Sequence, residues 1–107
     1  MTERQFKIKV GTLRRVKKDL EYYVKEHAAQ VLKIAKMRED ARDEYDIRKQ
    51  EEVLVETEVM LPDCQTRLKE AAQDVEGFIA SHRADVEPLA ELFQEAQALL
   101  AAIPSLL

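Results

Sequence analysis

Phe6, Val10, Leu13, Leu20, Val24, His27, Val31 and Ile34 follow one another at alternating spacings of three and four residues, with Val16 standing in where Lys17 interrupts the series. That spacing predicts an amphipathic helix over about residues 3–39 with a single apolar seam. Thr2 stands three residues before Gln5, the arrangement of a capping box at a helix start. The run "REDARDEY" (Arg38 to Tyr45) then offers charges and no apolar anchor, which places a tight turn at about 40–44. Ile47, Leu54, Leu61, Cys64, Leu68, Ala71, Val75 and Phe78 resume the spacing, with Gln50 and Thr57 as polar interruptions. They predict a second helix over about 44–81 that runs through Pro62.

"SHRAD" supplies a second turn, with Asp85 as the expected N-cap and Pro88 in the first turn of a third helix. Val86, Leu89, Phe93, Ala96, Leu100 and Ile103 carry that helix over about 85–103, up to Pro104. Short connections make neighbouring helices antiparallel. The expected fold is therefore all-α: one domain over residues 1–107, an elongated up-down-up three-helix bundle. Heptad-like spacing implies left-handed, coiled-coil-like packing. Pro62 removes a backbone donor and crowds the preceding turn, so the second helix is expected to bend there, with Pro62 on the outer side.

The helices are unequal. The first two span roughly 55 Å at 1.5 Å per residue, and the third about half of that. Folding back from the second turn, the third helix reaches only to the level of Pro62, opposite Tyr22 and Tyr23. The other half of the rod is then a two-helix hairpin with an exposed apolar groove, in which Val31, Ile34, Val53, Leu54 and Val55 lie.

Composition agrees with helices and narrows the chemistry. Of 107 residues, 36% are charged, only 2 are Gly and 3 are Pro. Net charge is −4, but residues 1–40 hold eleven Lys/Arg against six Asp/Glu, and the remainder six against fifteen. A basic first helix facing an acidic remainder argues against nucleic acid, whose phosphates the acidic half would repel. No run approaches the roughly 20 apolar residues of a membrane span. A single cysteine cannot form an internal disulfide, and the N-terminal stretch lacks a signal-like apolar core, so a cytosolic setting is expected. His27 and His82 stand on different helices, and the sequence has no Gly-rich phosphate loop, H-E-x-x-H site or paired-cysteine metal site. No catalytic, cofactor-binding or metal residue is assigned, and no enzyme activity is expected.

A rod of this kind binds something. The candidate partner-binding residues are the cations Lys7, Arg14, Lys17 and Lys18 on the first helix, and Tyr45, Arg48 and Lys49 at the start of the second. Val55 and Val59 join them, pointing away from the Leu54/Leu61 seam. Pro62, Cys64 and Tyr23 are read as structural, Cys64 as a small buried hydrophobe.

"IKVGTLRRVKKD" followed by Tyr23, "KM" at 36–37, "YDIRKQ" at 45–50 and above all "MLPDCQTRL" at 60–68 resemble the tubulin-binding cofactor A family. The resemblance runs from about residue 6 to 81 and fades in the third helix. It implies a cytoplasmic, cytoskeleton-associated chaperone that captures folding-competent β-tubulin and holds it before αβ-heterodimer assembly, without nucleotide hydrolysis. It leaves room for other tubulin-folding cofactors as partners and for either a monomer or a homodimer. Because β-tubulin is acidic, the basic first helix would steer it. The alternative is a non-enzymatic coiled-coil adaptor, also open to dimerisation, although an adaptor needs a seam and not a Pro-Asp-Cys-Gln run.

Overall fold

A computed structural model describes residues 2–107, of which two helices of 38 residues each form the greater part: α1 (Thr2–Glu39) and α2 (Glu44–Ser81). Thr2 is the first residue of α1 rather than the residue before it, so the expected capping box does not form around it. At the other end of α1, Ala41 adopts a left-handed conformation with φ 52°. The Ala41 N–H donates to the Arg38 carbonyl (3.1 Å) and the Arg42 N–H to the Met37 carbonyl (2.9 Å). These two bonds are a Schellman motif, which satisfies carbonyls that the helix end would leave unpaired. Asp43 then caps α2, its side chain accepting from the Tyr45 N–H at 3.4 Å.

The two long helices run antiparallel. Lys9 meets Asp74 at 2.9 Å, His27 meets Glu58 at 3.4 Å and Arg38 meets Glu51 at 2.7 Å, a sequence of pairs that steps in opposite directions along the two chains. The molecule measures 62 × 20 × 18 Å with a radius of gyration of 18.9 Å. A compact chain of this length would have a radius near 13 Å, so the shape is a rod. α2 continues unbroken through Pro62, which is exposed.

The third part of the chain departs from a single helix over 85–103. His82 leaves the helical region (φ −129°, ψ 29°), and its N–H closes α2 on the Phe78 carbonyl. A one-turn helix α3 (Arg83–Val86) follows, then a break, then α4 (Ala90–Ala102) and a 3₁₀ turn (Ile103–Leu106) that contains Pro104. Asp85 lies inside α3 and is not its cap. Pro88 has no N–H to donate, and beyond it Leu89 turns out of the helix at φ −84°, ψ 63°, its own N–H bonding the Val86 carbonyl. The break allows Val86 to be fully buried while Leu89 packs on the same core.

That core fills one half of the rod. Phe6, Val10, Leu13, Val16 and Leu20 from α1 meet Cys64, Leu68, Ala72, Val75 and Ile79 from α2, with Val86, Ala96 and Ile103 closing the third side. Phe6 and Phe78 stack at 5.8 Å, and His82 stacks on Phe78 at 4.3 Å, which seals the end. Tyr23 and Leu61 pack on the margin of this core. Toward the α1–α2 turn the buried set shrinks to Gln30, Ile34, Ile47 and Thr57. Gln30 donates to Glu26 at 3.3 Å while its buried Oε1 meets no donor, and Thr57 turns its hydroxyl to the Val53 carbonyl at 3.3 Å. A Cβ added at Gly11 or Gly77 would meet nothing within 4 Å, so each glycine costs about 1 kcal/mol against Ala with no internal contact that requires it.

Two substitutions test this account by urea unfolding. Ala41→Gly relieves the left-handed strain and is expected to stabilise the chain by about 0.5–1 kcal/mol. Leu68→Ala empties the fully buried centre and is expected to cost about 2–5 kcal/mol. Equal midpoints for Ala41→Gly and the parent would show that the turn carries no strain.

Candidate partner-binding surface

α4 reaches only part of the way along the two long helices, and the faces it covers can be traced by their contacts. On α1, Glu3 and Lys7 line an open cleft with Leu89–Leu92 and Glu95, and Arg14 pairs with Glu95. On α2, Pro62, Gln65, Thr66 and Lys69 lie around Leu107, the end of the chain. Positions seven residues apart occupy the same line on helices packed this way. Val24 and Val31 therefore extend the line of Glu3, Val10 and Lys17, Ala28 and Ala35 extend that of Lys7 and Arg14, and Val55 extends that of Pro62 and Lys69.

Those extended lines pass beyond Leu107 and are uncovered. Val24 is 50% exposed, Val31 44% and Val55 56%. The spacing in the sequence puts Val24, His27 and Val31 on the seam, and here the structure corrects it: beyond Leu20 the seam passes through Tyr23, Gln30 and Ile34. The reason is the number of neighbours. Where α1 has two partners it buries a broad face, and where it has only α2 it buries a narrow one and leaves the α4 side in solvent. Of the five expected groove residues, Val31, Val53 and Val55 are exposed, Leu54 is half-buried and Ile34 is buried. His27 sits half-buried at the edge of this face against Glu58.

The candidate cations separate into engaged and free. Arg14 is held by Glu95, and Lys17 pairs with Glu21 at 3.3 Å. Lys7 lies in the cleft beside three carboxylates. Lys18 and Arg48 are exposed, and neither has an ion-pair partner among the described residues. Lys49 pairs with Glu52 at 3.6 Å and lies 5.4 Å from the centre of the exposed Tyr45 ring. Val59 is exposed on the outer side of α2. Ile8, Tyr22 and Leu32, exposed on α1 and absent from the sequence-based set, lie off the apolar seam, and Tyr22 meets the Tyr23 ring edge-on at 5.3 Å. Among the described residues, no group of three or more His, Cys, Asp or Glu could hold a metal ion, and no helix is long and apolar enough to cross a membrane.

Cys64 lies within the core on the α2 seam, 2% exposed. Burial pushes its thiol above the ordinary value; Arg67 opposes this, and Asp19 and Asp63 add to it. A buried, protonated thiol is a poor nucleophile.

The fold defines a class: an elongated helical rod, 62 Å long, with open clefts along its sides. Within that class the comparisons are specific. The family model for Tubulin binding cofactor A matches residues 1–100, and the chain belongs to that family. Human tubulin-specific chaperone A is 42% identical over 97 residues, spanning 91% of this chain and 88% of its own. The crystal structure of tubulin folding cofactor A from Arabidopsis thaliana superposes with a TM-score of 0.81 at 32% identity, covering 97% of this chain and 96% of its own. Rbl2p, a β-tubulin binding post-chaperonin cofactor, superposes with a TM-score of 0.69 at 36% identity, covering 92% and 99%.

The position of Cys64 yields a test. The folded state holds its proton more tightly than the unfolded chain does, so this stabilisation is complete below the thiol's ordinary pKa of 9.0 and is lost as pH rises from there through the higher folded-state value. The urea midpoint of the parent is expected to fall more steeply above about pH 9 than that of Cys64→Ala. Ellman's reagent is expected to react slowly with the native thiol and rapidly in denaturant; equal rates would place Cys64 in solvent.

Proposed function

We propose that this chain is a tubulin chaperone that captures β-tubulin and holds it before αβ-heterodimer assembly, using the face that α4 leaves uncovered. The observation that carries the reading is the exposure of Val24, Val31 and Val55 at the level that α4 does not reach, whereas Val10, on the line of Val24 and Val31, is buried where α4 is present. Apolar surface of this kind, bordered by charge, marks an interaction site. A subunit awaiting its mate exposes apolar surface that must be masked, and a stiff rod can mask it without a chemical step. A standard interface takes about 800 Å² from each partner, which one side of a 62 Å rod supplies. Membership in the Tubulin binding cofactor A family and similarity to a β-tubulin binding cofactor support β-tubulin as the partner. The setting is the cytoplasm, where such a subunit is made. Tyr45, Arg48, Lys49 and Val59 extend the contact toward the α1–α2 turn, and Lys7, Arg14, Lys17 and Lys18 supply positive charge on the other half.

The finer architecture belongs to the same reading. The closed half is a left-handed, up-down-up three-helix bundle, supported by the seven-residue recurrence of its core positions. α2 bends at Pro62, supported by the donor that proline withholds from the Glu58 carbonyl.

The test is size-exclusion chromatography with light scattering, with and without β-tubulin. The parent is expected to form a complex with β-tubulin alone. Val24→Asp combined with Val31→Asp is expected to weaken capture at least about tenfold, since two buried apolar contacts become unpaired charges, with unchanged helicity. Capture equal to the parent would remove this face from the interface, and no capture by the parent would overturn the function. A parent that runs as a dimer alone, and as a monomer when so substituted, would assign the face to self-association.

A further inference from the structure

The side of α1 that faces away from both α2 and α4 carries an organised pattern. Stepping by four and three residues from Arg4, it passes through Ile8, Gly11, Arg15, Lys18, Tyr22, Lys25, Ala29, Leu32 and Lys36. These positions form one line along a helix, about 48 Å long at 1.5 Å per residue. The line contains five cations and no carboxylate. Among the described residues, Arg4, Arg15, Lys18 and Lys25 make no ion pair, whereas the cations on the flanks, Lys9, Arg14 and Lys17, are all engaged. Lys36 alone has a partner, Asp40, at 3.9 Å. Between the cations Ile8, Tyr22 and Leu32 stand 60%, 59% and 71% exposed. Gly11 leaves a dent between Ile8 and Arg15 that no internal contact requires.

We propose that this strip docks an acidic segment of a partner polypeptide whose carboxylates meet the row of cations and whose apolar side chains lie against Ile8, Tyr22 and Leu32, with its backbone closest at Gly11. Charge complementarity selects the occupant. A chain of net charge −4 that keeps four unpaired cations in a row on one side has a surface for a negative partner. Nucleic acid fits poorly: two of the three apolar residues are aliphatic and offer bases no stacking platform, and the acidic α2 and α4 flank the strip. A lipid surface fits poorly too, because the apolar residues are separate points among cations and not the continuous face that inserts into a bilayer. The strip shares no residue with the face formed by Val24, Val31 and Val55 and has only Lys18 in common with the charges given to β-tubulin above, so the proposal does not rest on the β-tubulin reading.

The experiment uses the full chain and a fluorescein-labelled synthetic peptide of about 28 residues, long enough as a helix to span most of the strip, with glutamates at heptad spacing and leucines between them. Fluorescence anisotropy is expected to show binding at low salt that weakens steeply as ionic strength rises, because exposed charges are screened. Arg15→Glu, Lys18→Glu and Lys25→Glu together are expected to weaken binding at least about tenfold, with circular dichroism unchanged. Arg42→Glu with Lys69→Glu, the same kind of reversal off the strip, is expected to leave it as it was. Gly11→Leu fills the dent and is expected to raise the melting temperature while weakening peptide binding severalfold, a pairing that a purely structural role for Gly11 would not produce. Equal binding by the triple variant, no binding by the parent at low salt, or tighter binding of poly(U) RNA or phosphatidylserine vesicles than of the peptide would each overturn the proposal. Capture of β-tubulin, measured in parallel, stands or falls separately.

Discussion

An apolar helix face stays out of water only as far as its neighbour reaches, and in this rod one neighbour is short. α1 and α2 run the full length, while α4 and the 3₁₀ turn lie along one half of it, with Leu107 beside Pro62. Where three elements meet, Phe6, Leu13, Leu20, Leu68 and Val75 are buried and supply the hydrophobic driving force for the whole molecule. Where only two meet, the seam narrows, Gln30 and Thr57 enter it, and valines on the α4 side stand in solvent. The closed half holds the structure together, and the open half carries surface that folding itself does not consume.

The division also separates two kinds of interaction along α1. Its cations nearest the other helices are tied up in ion pairs, some of which, such as Arg14 with Glu95, hold α4 in place. Exposed pairs contribute little to stability, so their effect is mainly to fix which face meets which neighbour. On the far side Arg4, Arg15, Lys18 and Lys25 have no such partners and remain available to other molecules. One helix thus presents an anchored side, an uncovered apolar side and a positive outer side.

Much of the frame was legible in the sequence. The spacing of Phe6, Val10, Leu13 and Leu20 on one helix and of Cys64, Leu68 and Val75 on the other identifies two long helices and their shared core, because core-facing side chains recur with the helical period. "REDARDEY" marks the turn, and "MLPDCQTRL" marks the family. Val24 could not be read in the same way: it keeps the period and is apolar, so the spacing assigns it to the seam, whereas the length of the third helix already placed Val31 in an exposed groove. The engaged state of Arg14 and Lys17 was equally hidden, since Glu95 lies far along the chain.

Sequence by itself determined the helices, the seam in the closed half, the single buried thiol at Cys64 and membership in the Tubulin binding cofactor A family, all of which follow from local periodicity or contiguous motifs. Tertiary structure alone decided where the third segment breaks, at Leu89 beyond Pro88, and which apolar side chains of the two long helices stand in solvent. A periodic pattern states which side of a helix is apolar. Whether that side is core or docking surface depends on the presence of another element at that level, and that is a property of the packed chain.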